Sequence, residues 1–253
     1  MFSRLGKSLI IGTAFLSAAL TASAVYSQPA RNVILVHGAQ ADGSGWRSVY
    51  DRLRAKGFKV QVVQEPQTSE EADVQAVKRA VALADGPVVL VGHSYGGQLI
   101  TEAGEDPKVT ALVYVSAAIP EVGESLADLF KAVPSPSGDA IRPAPGGFLM
   151  IDPARFHDAF AADLPKAQTD FMADSQVMIS KEAFGTKTKV AAWKDKPSYG
   201  ILGTRDHTIS PTLLHFMYKR ANAKVTEVTG ASHVVFISHP AEVAAVIEKA
   251  AAN

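Results

Sequence analysis

Ser94 is the residue in this sequence best placed to do chemistry, and it needs partners to do it. It lies in Gly92-His93-Ser94-Tyr95-Gly96-Gly97. A serine hydroxyl is a weak nucleophile until a base takes its proton. The candidate bases are His37, His93, His157, His207, His215, His233 and His239. His233 follows the apolar run Lys224–Val228 through Thr229-Gly230-Ala231-Ser232, so its loop can overhang the serine. His239 precedes Pro240 at a helix start and His215 falls mid-helix; both read as structural. An acid must then hold the far imidazole nitrogen and stabilise the charged ring. Asp206 follows the run Ser198–Leu202 through Gly203-Thr204-Arg205 and fits that place, while its neighbour His207 should point elsewhere. Each residue also has a plainer reading: Ser94 as the hydroxyl cap of a tight turn, His233 as a loop histidine, Asp206 as a cap for the helix at Pro211.

The elements around Ser94 favour the chemical reading. Val88–Val91 is a β-branched strand that runs into the motif, and Tyr95–Ala103 reads as a helix. A serine on so sharp a strand-to-helix turn needs small neighbours, and Gly92 and Gly96 supply them. The helix start aims N–H groups at the place where an oxyanion would form. Two donors are needed: Tyr95 follows the nucleophile, and Ala39 follows the first strand, Asn32–Val36, in His37-Gly38-Ala39.

Five further runs, Phe58–Val63, Val88–Val91, Val109–Val115, Ser198–Leu202 and Lys224–Val228, alternate with helical patterns. The strands up to Val115 read as continuously apolar, not alternating, as expected of a parallel sheet with helices on both faces. Between about Ile119 and Lys196 the sequence predicts no strand, only short helices at Pro153–Ala162 and Pro165–Gln176 and an irregular Pro/Gly-rich stretch over 134–147. That segment reads as a cap inserted at about 119–196. Aromatic and Met side chains expected to line a substrate pocket beneath it are Trp46, Phe130, Phe148, Phe171, Met172, Met178, Phe184 and Trp193.

Composition narrows the function class. The 253 residues are 47% hydrophobic and 20% charged with zero net charge, and no basic tail or aromatic–basic interleaving marks a nucleic-acid binder. With no cysteine there are no disulfides, thiol nucleophiles or thiolate metal ligands. No metal or organic cofactor motif is found. Residues 1–27 have a basic start (Arg4, Lys7), an apolar run and Ala22-Ser23-Ala24, the order of a secretory signal peptide. The expectation is a periplasmic or secreted protein, residues 28–253, not held in the membrane after cleavage and of undetermined oligomeric state.

With these residues placed, the chain resembles the α/β-hydrolase superfamily, and more narrowly the compact esterases related to plant methylesterases and hydroxynitrile lyases. The resemblance rests on VILVHGA (33–39), DGSGW (42–46), GHSYGG (92–97), YVSA (114–117), GTRDHTI (203–209) and GASHVVFISHP (230–240), and on the chain order Ser94, Asp206, His233. It implies an α/β fold with a mostly parallel eight-stranded sheet flanked by helices, a helical cap, and a Ser–His–Asp triad. The sequence shows only about six strands, and a weak early edge strand would lie in the signal-like region or near Gln61–Thr68. Hydroxynitrile lyases of this group carry Thr after the first-strand histidine and Lys after the catalytic one; here these positions are Gly38 and Val234. That favours hydrolysis of small or medium carboxylic esters. The alternatives are a cofactor-free perhydrolase or haloperoxidase-like activity and a non-catalytic binding protein.

Overall fold

The computed structural model describes residues 1–2 and 29–252. The leader reading over 1–27 therefore falls almost wholly outside the described residues. Six strands, β1 (Asn32–Val36), β2 (Lys59–Val62), β3 (Val88–His93), β4 (Val109–Val115), β8 (Ser198–Gly203) and β9 (Lys224–Val228), form one sheet in the order β2-β1-β3-β4-β8-β9. Every pairing in it is parallel.

The four inner strands β1, β3, β4 and β8 are buried almost throughout because both faces are covered. The edge strands β2 and β9 are instead largely exposed and carry polar residues. Ile34, Val36, Leu90, Leu112 and Tyr114 enter one core with α2 (Glu70–Leu83), α3 (Gly96–Ala103) and α8 (Pro211–Arg220). Their neighbours Val33, Leu35, Val89, Val91, Val113 and Val115 enter a second core with α1 (Arg47–Ala55) and α10 (Pro240–Ala251). Period-2 alternation along each strand divides the side chains between the two faces.

The strand order reverses at β1: the chain steps from β1 to β2, then returns across it to β3. The carboxyl ends of β1 and β3 therefore border a crevice, the usual binding place in open α/β sheets. Ala39 follows β1 there and Ser94 follows β3.

Two expectations need correction. Among the described residues the main sheet has six strands, not eight, and Gln61–Thr68 adds none beyond β2. The cap is also not purely helical. Besides α4 (Leu126–Ala132), α5 (Phe156–Phe160), α6 (Lys166–Asp174) and α7 (Lys181–Gly185), it holds an antiparallel sheet of β5 (Ile141–Ala144), β6 (Phe148–Ile151) and β7 (Ile179–Ser180). Strands of four and two residues leave almost no periodic signal, and Pro143 argues against a strand. It is tolerated because β5 is an edge strand. The Pro145-Gly146-Gly147 stretch is the hairpin turn, with φ of 73° at Gly146 and 83° at Gly147.

Candidate active site

Ser94 occupies a left-handed backbone conformation, φ 54°. For a residue with a Cβ this costs about 1–3 kcal/mol and persists only where surroundings impose it. Here Ser94 N–H donates to Val115 O (3.3 Å), while Ser94 O accepts from Gly97 N–H (3.0 Å) and Ala118 N–H (3.1 Å). The motif glycines make the turn possible by close approach: a Cβ on Gly92 would lie 2.4 Å from Gly96 O, and one on Gly96 2.4 Å from His37 O. Ser94 lines a cavity of about 450 Å³ with Ala39, Gln40, Tyr95, Leu126, Phe130 and Phe184. Its Oγ makes no hydrogen bond among the described residues, nor do the backbone amides of Ala39 and Tyr95.

His233 is fully buried beyond β9, and its Nδ1–H donates to Asp206 Oδ2 at 2.8 Å. The other oxygen of Asp206 accepts from Thr208 N–H (2.8 Å) and Ile209 N–H (2.9 Å). The carboxylate is thus fixed from both sides, and the Nδ1–H tautomer leaves Nε2 as the basic end of the ring. That Nε2 is buried and has no hydrogen-bond partner among the described residues. Ser232, next to His233, is tied to the cap by N–H and Oγ hydrogen bonds to Asp163.

Several residues that set this geometry were not singled out in the sequence. His93 Nε2–H donates to the His233 carbonyl at 3.1 Å, and the two rings lie 4.6 Å apart. Burial, and secondly the nearby His233, hold His93 well below the ordinary imidazole pKa, so it is a neutral strut between the β3 and β9 ends. A second set underlies the first loop. Tyr95 Oη–H donates to Asp73 Oδ2 (2.8 Å), and Gln67 N–H donates to Asp73 Oδ1 (2.8 Å). The Gln67 side chain accepts from Gln40 N–H (3.2 Å) and donates to Ala41 O (2.9 Å). Asp73 and Gln67 therefore cross-link the segments bearing the Ala39 and Tyr95 amides. His37, paired with the buried Glu65, donates its Nδ1–H to Gly38 O at 2.9 Å. Burial opposes charge on His37 but Glu65 outweighs it and raises its pKa, and burial raises that of Glu65 as well. The only signal in the sequence was polar residues near apolar strand ends, which carries no partner information.

The other histidines are engaged elsewhere. His207 contacts Asp158 O (3.0 Å), His239 bonds Ser238 Oγ (2.8 Å), His157 bonds Thr169 Oγ1 (3.0 Å) and His215 faces Glu227 (3.6 Å).

The expected pocket residues divide. Phe130 and Phe184 stack in the cavity of Ser94, centroids 5.7 Å apart. Phe171 and Met172 line a different cavity. Trp46, Phe148, Met178 and Trp193 line neither. Trp46 is fully buried against Phe236, 4.3 Å between centroids, because the 3-10 turn at Gly43–Trp46 directs it into the core. Trp193 donates Nε1–H to Pro120 O (2.9 Å) and packs at the base of the cap. Phe148 is half-buried in β6, and Met178 is exposed just before β7. Aromatic type alone could not separate structural from lining positions.

Residues 33–246 match the alpha/beta hydrolase family. The chain belongs to that family. A probable hydrolase from Phoma is 36% identical over 150 residues, 52% of this chain and 59% of that protein. A carbendazim hydrolyzing esterase from Nocardioides is 37% identical over 120 residues, 41% of this chain and 49% of that protein. The chain thus spans about half to three-fifths of these curated relatives. Among solved structures, a pyrethroid hydrolase from Sphingobium faniae superposes with a TM-score of 0.72 at 24% identity, covering 88% of this chain and 97% of the other. A methylesterase from Arabidopsis gives 0.74 at 17% identity, covering 87% and 98%.

Proposed function

We propose that this hydrolase-family protein is a serine esterase that cleaves carboxylic esters of small or medium substrates through an acyl-enzyme. The observation that carries the reading is the buried Asp206–His233 pair, 2.8 Å apart, whose free Nε2 belongs to a ring packed on His93, the residue before Ser94. The similarity to proteins named hydrolase, esterase and methylesterase agrees with it.

In the acylation step the Ser94 Oγ–C bond forms as His233 Nε2 takes the hydroxyl proton. The Ala39 and Tyr95 amides, unpartnered at the cavity, receive the oxyanion. The C–O bond to the alcohol then breaks, and His233 returns the proton to the departing alkoxide. Water repeats the sequence: it loses a proton to His233, adds to the acyl carbon, and the Ser94 ester bond breaks as Oγ regains a proton. Asp206 stabilises the imidazolium in both halves.

The test is turnover of p-nitrophenyl acetate and butyrate by the purified protein and by Ser94→Ala. The expected loss in the variant is at least about 10³-fold in kcat. Equal rates in both proteins, or no turnover by either on a broad ester and lactone panel, would refute the proposal. We also infer export to the periplasm or medium, checked by N-terminal sequencing of the protein recovered outside the cytoplasm.

A further inference from the structure

A second cavity, of about 500 Å³, meets the cavity of Ser94 at Gln40. Its walls come from the first loop, the start of α1, the cap helices α5 and α6, and the segment after His233. The lining is largely apolar, including Phe156, Phe160, Phe171, Met172, Phe236 and Ile237. Gln40 is the residue that lines both cavities. It is 6% exposed, held by its backbone N–H on Gln67, and its side-chain Nε2 is buried with no partner among the described residues. A buried amide donor without an acceptor is costly, which points to a ligand atom at the junction.

We propose that this second cavity is the leaving-group subsite, and that the preferred substrates are two-armed esters with a bulky apolar, aryl-bearing alcohol. The inference rests on the serine-esterase reading above. The assignment of sides follows from proton delivery. The leaving oxygen must face His233, since that ring returns its proton. Val234, the residue after His233, lines the second cavity. Its wall residue Phe160 packs edge-on against the His233 ring, centroids 5.1 Å apart, and Phe236 packs on His93 at 4.5 Å. The cavity holding Ser94, Phe130 and Phe184 is lined by neither Phe160 nor Phe236 and takes the acyl arm. With the ester between the two, its alkoxy oxygen is the acceptor for Gln40 Nε2.

The experiment varies one arm at a time. Acetates of methanol, benzyl alcohol and 2-naphthylmethanol have leaving groups of similar basicity, so size is the main variable. Methyl acetate, butyrate and hexanoate form the acyl series. For the wild type, kcat/KM should rise at least about ten-fold from methyl to naphthylmethyl acetate. Ser48→Trp, on the exposed face of α1 at the cavity, should lower the naphthylmethyl/methyl ratio at least five-fold without shifting the hexanoate/acetate ratio. Gln40→Leu should lower kcat/KM for naphthylmethyl acetate about ten-fold. A flat alcohol series with Ser94-dependent turnover overturns the subsite alone. A Ser48→Trp effect confined to the acyl series reverses the assignment of arms and overturns it too. No effect of Gln40→Leu removes the junction donor. Absence of ester turnover, or turnover undiminished in Ser94→Ala, is instead the failure of the esterase reading itself.

Discussion

At the scale of single residues, the site depends on contacts with almost no slack. Asp206 accepts three hydrogen bonds, one from His233 and two from the backbone of Thr208 and Ile209. An amide at this position retains an acceptor for one side but presents NH₂ to the other, favouring the wrong imidazole tautomer. Asp206→Asn should therefore lower kcat on p-nitrophenyl butyrate by on the order of 10³–10⁴ with the fold intact by circular dichroism. Gly38 is a second such point. A Cβ there would lie 2.6 Å from Ser94 Cβ and 2.9 Å from His93 Nδ1. Gly38→Ala should displace Ser94 or the loop, destabilising the protein by about 1–3 kcal/mol in urea titrations and reducing turnover beyond what that loss explains. The same crowding gives a physical reason why this chain has Gly beside His37, where the hydroxynitrile lyases it resembles carry Thr.

At the scale of elements, the two backbone donors come from different connections: Ala39 from the β1 loop, Tyr95 from the β3–α3 turn. Their separation is set by neither element. It is set by Asp73 on α2, which holds Tyr95 Oη and Gln67 N, and by Gln67, which holds Gln40 N and Ala41 O. Burial raises the Asp73 carboxyl above its ordinary pKa, against the hydrogen bonds from Tyr95 and Gln67. Gln67→Ala should lower kcat by about 10–100-fold with KM changed less than about three-fold, because misplaced donors weaken transition-state binding more than ground-state binding. Gln67→Glu keeps the acceptor for Gln40 N and should recover part of the rate. Equal effects on kcat and KM in both variants would indicate general loosening in place of positioning.

At the scale of the whole molecule, a buried acid pair joins α2, α3 and the segment returning from the cap. Glu70 on α2 faces Glu102 on α3, and Glu102 accepts from Lys189 N–H at 2.6 Å. Burial first, then the Glu102 charge, raise the Glu70 pKa to about 7, with Lys189 opposing and Asp73 adding to the rise. A carboxyl whose folded pKa is raised contributes stability that is full below its unfolded value and is lost as pH rises through the folded one. The window is therefore about pH 4.5 to 7. Glu70→Gln cannot ionise, so it should raise the unfolding midpoint at pH 8 relative to wild type, by about 1–3 kcal/mol, and flatten the pH dependence across that window. Midpoints at pH 5, 6, 7 and 8 provide the check; parallel curves for the two proteins would rule it out.

The sequence alone determined the six strands of the main sheet, most plainly the apolar inner ones, and the turn that carries Ser94. Those features are written in local terms, as continuous β-branched strands, flanking glycines and a helix start. It also put Asp206 and His233 at strand ends, where the structure joins them at 2.8 Å. Tertiary structure decided the rest. The β5–β7 sheet of the cap consists of strands too short to show periodicity. Trp46 and Phe130 are both aromatic residues near a loop, yet one fills the core against Phe236 and the other stacks on Phe184 of the cap and lines a cavity, a difference set by the elements packed against each. His93, Gln67 and Asp73 gained their roles from partners distant in sequence, such as the 140-residue separation between His93 and His233. Hydrogen bonds of that range leave no trace in spacing, because they are fixed only once the parallel sheet brings its carboxyl ends together.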